Sequence, residues 1–163
     1  MSEKKRKEFA DRLRQGEYMT LPGVFDLISA RVADRMGFPG LYMTGYGVVA
    51  SSLGLPDAGL ASYTEMVNCV AKIAQGTLTP LIADGDTGYG GLLNVEYTVR
   101  GYERAGAVAI QLEDQEFPKK CGHTPGRRVI PIEDMVAKIK VAVASRESDD
   151  FLVIGRTDAR SQL

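Results

Sequence analysis

Leu81-Ile82-Ala83-Asp84-Gly85-Asp86-Thr87-Gly88-Tyr89-Gly90 is an apolar run that stops on two acids and a glycine-rich turn. A short continuous apolar stretch is what a strand covered on both faces requires, and such strands belong to parallel sheets. The same grammar recurs on either side. Gly40–Thr44 leads into Gly45, Ala107–Leu112 runs into Glu113-Asp114, and Phe151–Gly155 into Arg156-Thr157-Asp158, with Tyr18–Val24 as the first strand of the series. Segments of helical period lie between them. Asp26 is the expected cap of a first helix ending at Met36-Gly37, and Ser62 with Glu65 forms a capping box on a second. That second helix would turn Met66, Val67, Val70, Ile73 and Ala74 inward. Asn94 is the expected cap of a third bearing Val95, Val99 and Tyr102, and Pro131 opens a fourth bearing Ile132, Met135, Val136, Ile139 and Val143. An N-terminal helix over residues 3–16 puts Phe9 and Leu13 on one side. Strand and helix in alternation define a parallel α/β fold.

The chain has 163 residues, 44% of them hydrophobic and 25% charged, which are ordinary values for one globular domain. Twenty Lys and Arg against 21 acids leave a net charge of -1, so there is no basic field for nucleic acid. The basic residues at positions 4–7 interleave with Glu3, Glu8, Asp11 and Glu17, the pattern of a solvated helix face. No stretch has the apolar length to cross a bilayer, and two cysteines cannot make a disulfide framework. A soluble, cytoplasmic protein with reduced thiols is expected, Cys69 lying in the core. Residues 45–61 and 115–129 read as two long connections, of the kind that carries function.

The polar residues fall at the strand ends. In a parallel sheet Thr44-Gly45, Asp84-Gly85-Asp86, Glu113-Asp114 and Arg156-Thr157-Asp158 all reach one edge, where α/β proteins place ligands. Asp84, Asp86 and Glu113 crowd carboxylates together, a repulsion that a hard dication relieves. Oxygen ligands without histidine suit Mg²⁺, with Mn²⁺ as the alternative. The competing reading gives these acids to helix caps or to pairs with Arg and Lys. The segment Phe117-Pro118-Lys119-Lys120-Cys121-Gly122-His123 concentrates reactive types, with His123 the single histidine. Cationic neighbours lower a thiol pKa and make it a usable acid or nucleophile, while one Cys and one His are too few for structural zinc. Asp86-Thr87-Gly88 matches the aspartic-protease tripeptide, but that chemistry needs an all-β setting. Gly88, Gly90 and Gly91 lack either phosphate-binding spacing.

Taken in order, Leu41–Gly45, Leu53-Gly54-Leu55-Pro56-Asp57, residues 84–90, Glu113-Asp114-Gln115, residues 119–123 and Arg156-Thr157-Asp158-Ala159-Arg160 closely resemble the isocitrate lyase/phosphoenolpyruvate mutase superfamily. The likeness runs from about Leu21 onward. It is strongest to the methylisocitrate lyase, carboxyphosphoenolpyruvate phosphonomutase and oxaloacetate or dimethylmalate lyase branches. It implies a modified TIM barrel, Mg²⁺ dependence, carbon–carbon cleavage through an enolate of a 2-oxo acid, and homotetramers. By that resemblance Asp84 and Asp86 are the metal-site acids, with Glu113 near the metal's waters. Thr44, Gly45 and Tyr46 hold a substrate carboxylate, joined by Gly122, and Arg156 clamps substrate oxygens. Asp57 is an active-site loop acid, Cys121 the general acid of a mobile loop, and Lys120 and His123 its catalytic neighbours. Tyr46 stands where methylisocitrate lyases carry glycine, and Gly155 where alanine is more familiar.

The implied activity is a Mg²⁺-dependent lyase acting on a 2-hydroxy di- or tricarboxylate, with a phosphonomutase as the alternative. A full (β/α)₈ barrel takes about 250 residues, so residues 1–163 are expected to form its N-terminal part, about the first five strands. Such a piece would be a partial record of a longer enzyme, or a non-catalytic binding or assembly module.

Overall fold

Main-chain hydrogen bonding explains why the strands are shorter than the apolar runs. In the computed structural model, which describes residues 2–122 and 124–162, the first strand, β1, is only Gly23–Val24. Pro22 has no N–H to give a ladder, though its carbonyl accepts from Tyr42 N–H at 3.0 Å, and Tyr18 is exposed. The others are β2 (Leu41–Met43), β3 (Leu81–Asp84), β4 (Ala109–Glu113) and β5 (Leu152–Arg156). All are parallel and neighbour one another in chain order. That is the arrangement expected of the opening strands of a (β/α)₈ barrel.

The helices are α1 (Ser2–Arg14), α2 (Leu27–Arg35), α3 (Gly45–Leu53), α4 (Tyr63–Gly76), α5 (Leu92–Ala105) and α6 (Ile132–Ala144). Asp26 and the Ser62/Glu65 box cap α2 and α4 as expected. Helix α1 stops at Arg14, short of residue 16, because Gly16 takes φ 75°. Glu17 N–H then bonds Arg12 O and Gly16 N–H bonds Leu13 O, a Schellman closure open to glycine. Asn94 is not the cap of α5. The cap is Gly91, and Asn94 sits three residues in, its Oδ1 accepting from Gly91 N–H at 3.1 Å.

The sheet has two apolar faces, and side-chain parity assigns them. Leu41, Met43, Leu81, Ala83, Ile110 and Leu112 point to the helices, meeting Val70, Ile73, Val95, Val99 and Tyr102. Tyr42, Ile82, Ala109, Leu152 and Ile154 point the other way, toward Phe9 of α1 with Met19 and Leu21. Asp84, Glu113 and Arg156 have the parity of this second, inner face.

Four further expectations are corrected. The stretch from Gly45 contains α3, whose apolar signal is too weak to read; Thr44 caps it and Gly54, in the left-handed conformation, ends it. The basic N-terminal segment is not wholly solvated. Arg6 is buried, donating to Glu103 Oε1 at 2.9 Å and Glu103 O at 3.2 Å, with its guanidinium over the Phe151 ring. The apolar stripe on α6 is only partly inward: Ala142 is buried, yet Ile132, Val136 and Val143 are exposed. Helix α6 flanks β5, the edge strand of the sheet among the described residues, and only Met135 and Ile139 of its stripe pack against the core. Cys69 is half-buried rather than deep in the core, its Sγ 3.6 Å from Phe25 O.

Candidate active site

Each inner-face strand ends on a polar residue, and these ends converge. A cleft of about 460 Å³ is lined by Tyr42 and Thr44 from β2 and its end, Asp84 from β3, Glu113 from β4 and Arg156 from β5. Tyr46 from the first turn of α3, Asp57 from the loop after it, and Gln115, Lys119, Cys121 and Gly122 from the loop after β4 complete the wall. Register explains the convergence: Glu113 pairs with Arg156 across β4 and β5, and Asp84 with Gln111 across β3 and β4.

The acids are held from the backbone. Asp84 Oδ2 accepts from Gly45 N–H at 3.1 Å and Oδ1 from Asp86 N–H at 3.0 Å. A Cβ on Gly45 would stand 2.9 Å from Asp84 Oδ2, so the approach of α3 to β3 requires glycine there. Asp86 is buried against Lys119 of the cleft wall, in the left-handed region at φ 48°. Burial, with the Asp84 charge beside it, pushes its carboxyl up to about 7 against the pull of Lys119. Burial also raises Glu113. Its Oε1 accepts from Gln115 Nε2 at 3.0 Å, and its Oε2 lies 3.7 Å from Arg156 Nε. Arg156 further donates to Asp158 at 2.9 Å. Tyr42, raised by burial and by the surrounding carboxylates, stays protonated and accepts from Gln111 Nε2 at 2.7 Å.

Of the residues singled out from sequence, Thr44, Tyr46, Asp57, Asp84, Glu113, Cys121, Gly122 and Arg156 line one cleft, with Asp86 adjoining it. Gly45 is placed behind Asp84, which takes its N–H. Lys120 is exposed and turns away, its Nζ donating to Gly126 O at 3.1 Å. His123 lies outside the described residues. Sequence reasoning passed over Lys119, Gln115 and Tyr42. Lys119 is buried, its ammonium against both Asp57 Oδ1, at 2.6 Å, and Asp86 Oδ1. Burial opposes its charge, but the Asp86 and Asp57 carboxylates more than offset that and raise its pKa. Gln115 clasps the loop, its Nε2 donating to Lys120 O and its Oε1 accepting from Lys120 N–H. Parity would have identified Tyr42 as inner-face; nothing in a loop distinguishes Lys119 from Lys120.

A divalent ion fits this donor set. Asp57, Asp84, Asp86 and Glu113 against Lys119 and Arg156 leave an excess of two negative charges before Asp158 is added, and every donor is oxygen. Among the described residues no three acidic, His or Cys side chains converge closely enough to enclose a metal. An ion here would keep waters or take substrate oxygens, as Mg²⁺ does.

Parallel strands that bring acids, a guanidinium and a thiol to their carboxyl ends define a barrel-type α/β enzyme. The chain belongs to the phosphoenolpyruvate phosphomutase family, matched over residues 9–162, and so to the isocitrate lyase/phosphoenolpyruvate mutase superfamily of lyases and mutases. It is 53% identical over 140 residues to the 2,3-dimethylmalate lyase of Eubacterium barkeri, covering 86% of this chain and 48% of that one. The structure of oxaloacetate acetylhydrolase with 3,3-difluorooxalacetate superimposes with a TM-score of 0.88 at 42% identity, covering 95% of this chain and 55% of the other. That of phosphonopyruvate hydrolase with oxalate and Mg²⁺ gives 0.85 at 35% identity, over 95% and 53%. The chain spans about half the length of the curated relatives it matches. No helix among the described residues is long and apolar enough to cross a membrane.

Proposed function

We propose that the protein is a Mg²⁺-dependent carbon–carbon lyase that cleaves a 2-hydroxy di- or tricarboxylate into a 2-oxo acid and a second carboxylic acid. The observation that carries this reading is Cys121 in the same cleft as Arg156 and the acid cluster, a proton donor and an anion clamp sharing one wall-lined space. Kinship with a 2,3-dimethylmalate lyase and with an oxaloacetate acetylhydrolase supports a small branched hydroxy or oxo acid as substrate.

The cleft residues divide the work. Arg156, oriented by Glu113 and Asp158, presents paired donors to a substrate carboxylate, which a lysine would do poorly. The Thr44 hydroxyl and the Tyr46 N–H at the start of α3 face a second carboxylate at a helix N-terminus. Loss of the 2-hydroxyl proton to a cleft carboxylate lets the adjacent carbon–carbon bond break. The electron pair passes to the departing carbon and is delocalised into its carboxylate. Cys121 protonates that carbon, a contribution of roughly 10²–10⁴-fold in rate. Asp84, Asp86 and Glu113 would hold the metal, which when bound supplies positive charge where the oxo acid's negative charge develops. Assembly as a homo-oligomer belongs to the same reading, supported by the apolar Ile28 and Val32 exposed on α2 and Met36 exposed at its C-terminal cap.

The test is a coupled assay of the full-length protein for pyruvate or glyoxylate release from a panel of 2-hydroxy acids, 2,3-dimethylmalate and methylisocitrate among them. Product that requires Mg²⁺ is the expected result, and no product from any of them with metal present overturns the proposal. The second reading, phosphoryl transfer to carbon, is favoured by the family match itself; a phosphorus–carbon signal in ³¹P NMR would establish it.

A further inference from the structure

The turn that carries the acids is braced from behind. Its five consecutive carbonyls from Asp84 to Gly88 all have donors. Tyr102 Oη donates to Asp84 O at 3.1 Å, Gly88 N–H to Gly85 O at 2.9 Å, and Glu113 N–H to Asp86 O at 2.9 Å. Lys138 Nζ donates to Thr87 O at 2.8 Å and Thr98 Oγ1 to Gly88 O at 3.4 Å. Within this stretch and just after it, Asp86 at φ 48° and Tyr89 at φ 59° are non-glycine residues in the left-handed region. Such a backbone persists only where its surroundings over-determine it. Tyr102 and Thr98 come from α5, which follows the turn directly. Lys138 comes from α6, fifty-one residues away, and donates the one charge-assisted hydrogen bond of the set.

We propose that Lys138 is a positioning residue: its ammonium, by holding the Thr87 carbonyl, fixes the strained turn on which Asp84 and Asp86 are presented. Lys138 does not line the cleft, so it acts on the site through the turn. The inference rests on the metal-site reading only for its consequence, since the bracing itself is a property of the metal-free chain.

Hydrogen exchange and metal binding separate the two in the full-length protein. In metal-free protein, K138M should speed exchange of the Asp86, Gly88 and Glu113 amides, each bonded within or to the turn, by about tenfold. Amides in α4 and β2 should be unchanged, and K138R should restore the protection. Mn²⁺ followed by electron paramagnetic resonance should bind K138M several-fold more weakly than wild type, with K138R close to wild type. Unchanged turn exchange in K138M overturns the proposal, and so does an equal acceleration at every amide, which marks a general loss of stability. A wild-type protein that binds no Mn²⁺ overturns the metal-site reading, while exchange in K138M still decides the role of Lys138.

Discussion

Lys119 and Asp57 form a buried ion pair at the cleft, Nζ to Oδ1 2.6 Å, and the same ammonium also meets Asp86. Removing one partner of such a pair leaves an uncompensated charge out of water. K119M should therefore destabilise the protein by about 3–5 kcal/mol, read from urea melts. K120M, at an exposed neighbour, should stay within about 0.5 kcal/mol of wild type. Equal effects of the two would show that the pairing is not as described.

Cys121 lines the cleft together with Arg156, and its neighbour Gly122 lies against the Arg156 guanidinium. If it delivers the proton to the departing carbon, C121S should lower kcat by roughly 10²–10⁴-fold while Mg²⁺ and oxalate still bind, measured by steady-state kinetics and calorimetry. Undiminished kcat would assign the proton to another group.

Arg6 ties α1 to α5 through Glu103, whose Oε2 also accepts from Glu147 N–H at 2.7 Å. R6M leaves Glu103 buried without its cation and should cost about 3–5 kcal/mol. K4M, which loses only an exposed pair with Glu8, should cost less than about 0.5 kcal/mol. Thermal melts at low and high salt check both, because the buried pair is little screened.

Asp34 joins the end of α2 to the chain entering β3, its Oδ1 accepting from Leu78 N–H, Thr79 N–H and Thr79 Oγ1 at 2.6–3.0 Å. Burial works to raise its pKa, but these bonds and the Lys5 charge outweigh it, so the folded carboxyl titrates below its ordinary value of 3.8. Its stabilisation is accordingly complete above the unfolded pKa and is lost as pH falls through the folded one. The stability difference between wild type and D34A should be about 1 kcal/mol or more at neutral pH and shrink below about pH 4. A difference that grows on acidification would reverse the sign of the linkage.

Much of this site is written in parity. Tyr42 and Thr44, Ile82 and Asp84, Gln111 and Glu113, Ile154 and Arg156 share an inner face because successive side chains alternate. Buried apolar runs announce the strands, and four of them stop on the residues that matter. The alternation does not extend into loops, so Lys119 and Lys120 are indistinguishable until the chain is folded and one is buried against two carboxylates. Helix α3 is hidden for a related reason: only Gly45, Val48 and Val49 of its nine residues are buried, too few for a clear period. Arg6 reads as surface because Glu103, its partner, lies 97 residues away.

Sequence alone determined the order of the strands and of every helix but α3, the caps at Asp26 and Ser62, and which strand residues share a face, since these depend on local hydrogen bonding and on alternation. Tertiary structure decided which lysine neutralises Asp57 and Asp86, where the Gly45 N–H is spent, and that Lys138 reaches the turn behind Asp84. Those pairings join residues tens of positions apart, and only packing brings them within hydrogen-bonding distance.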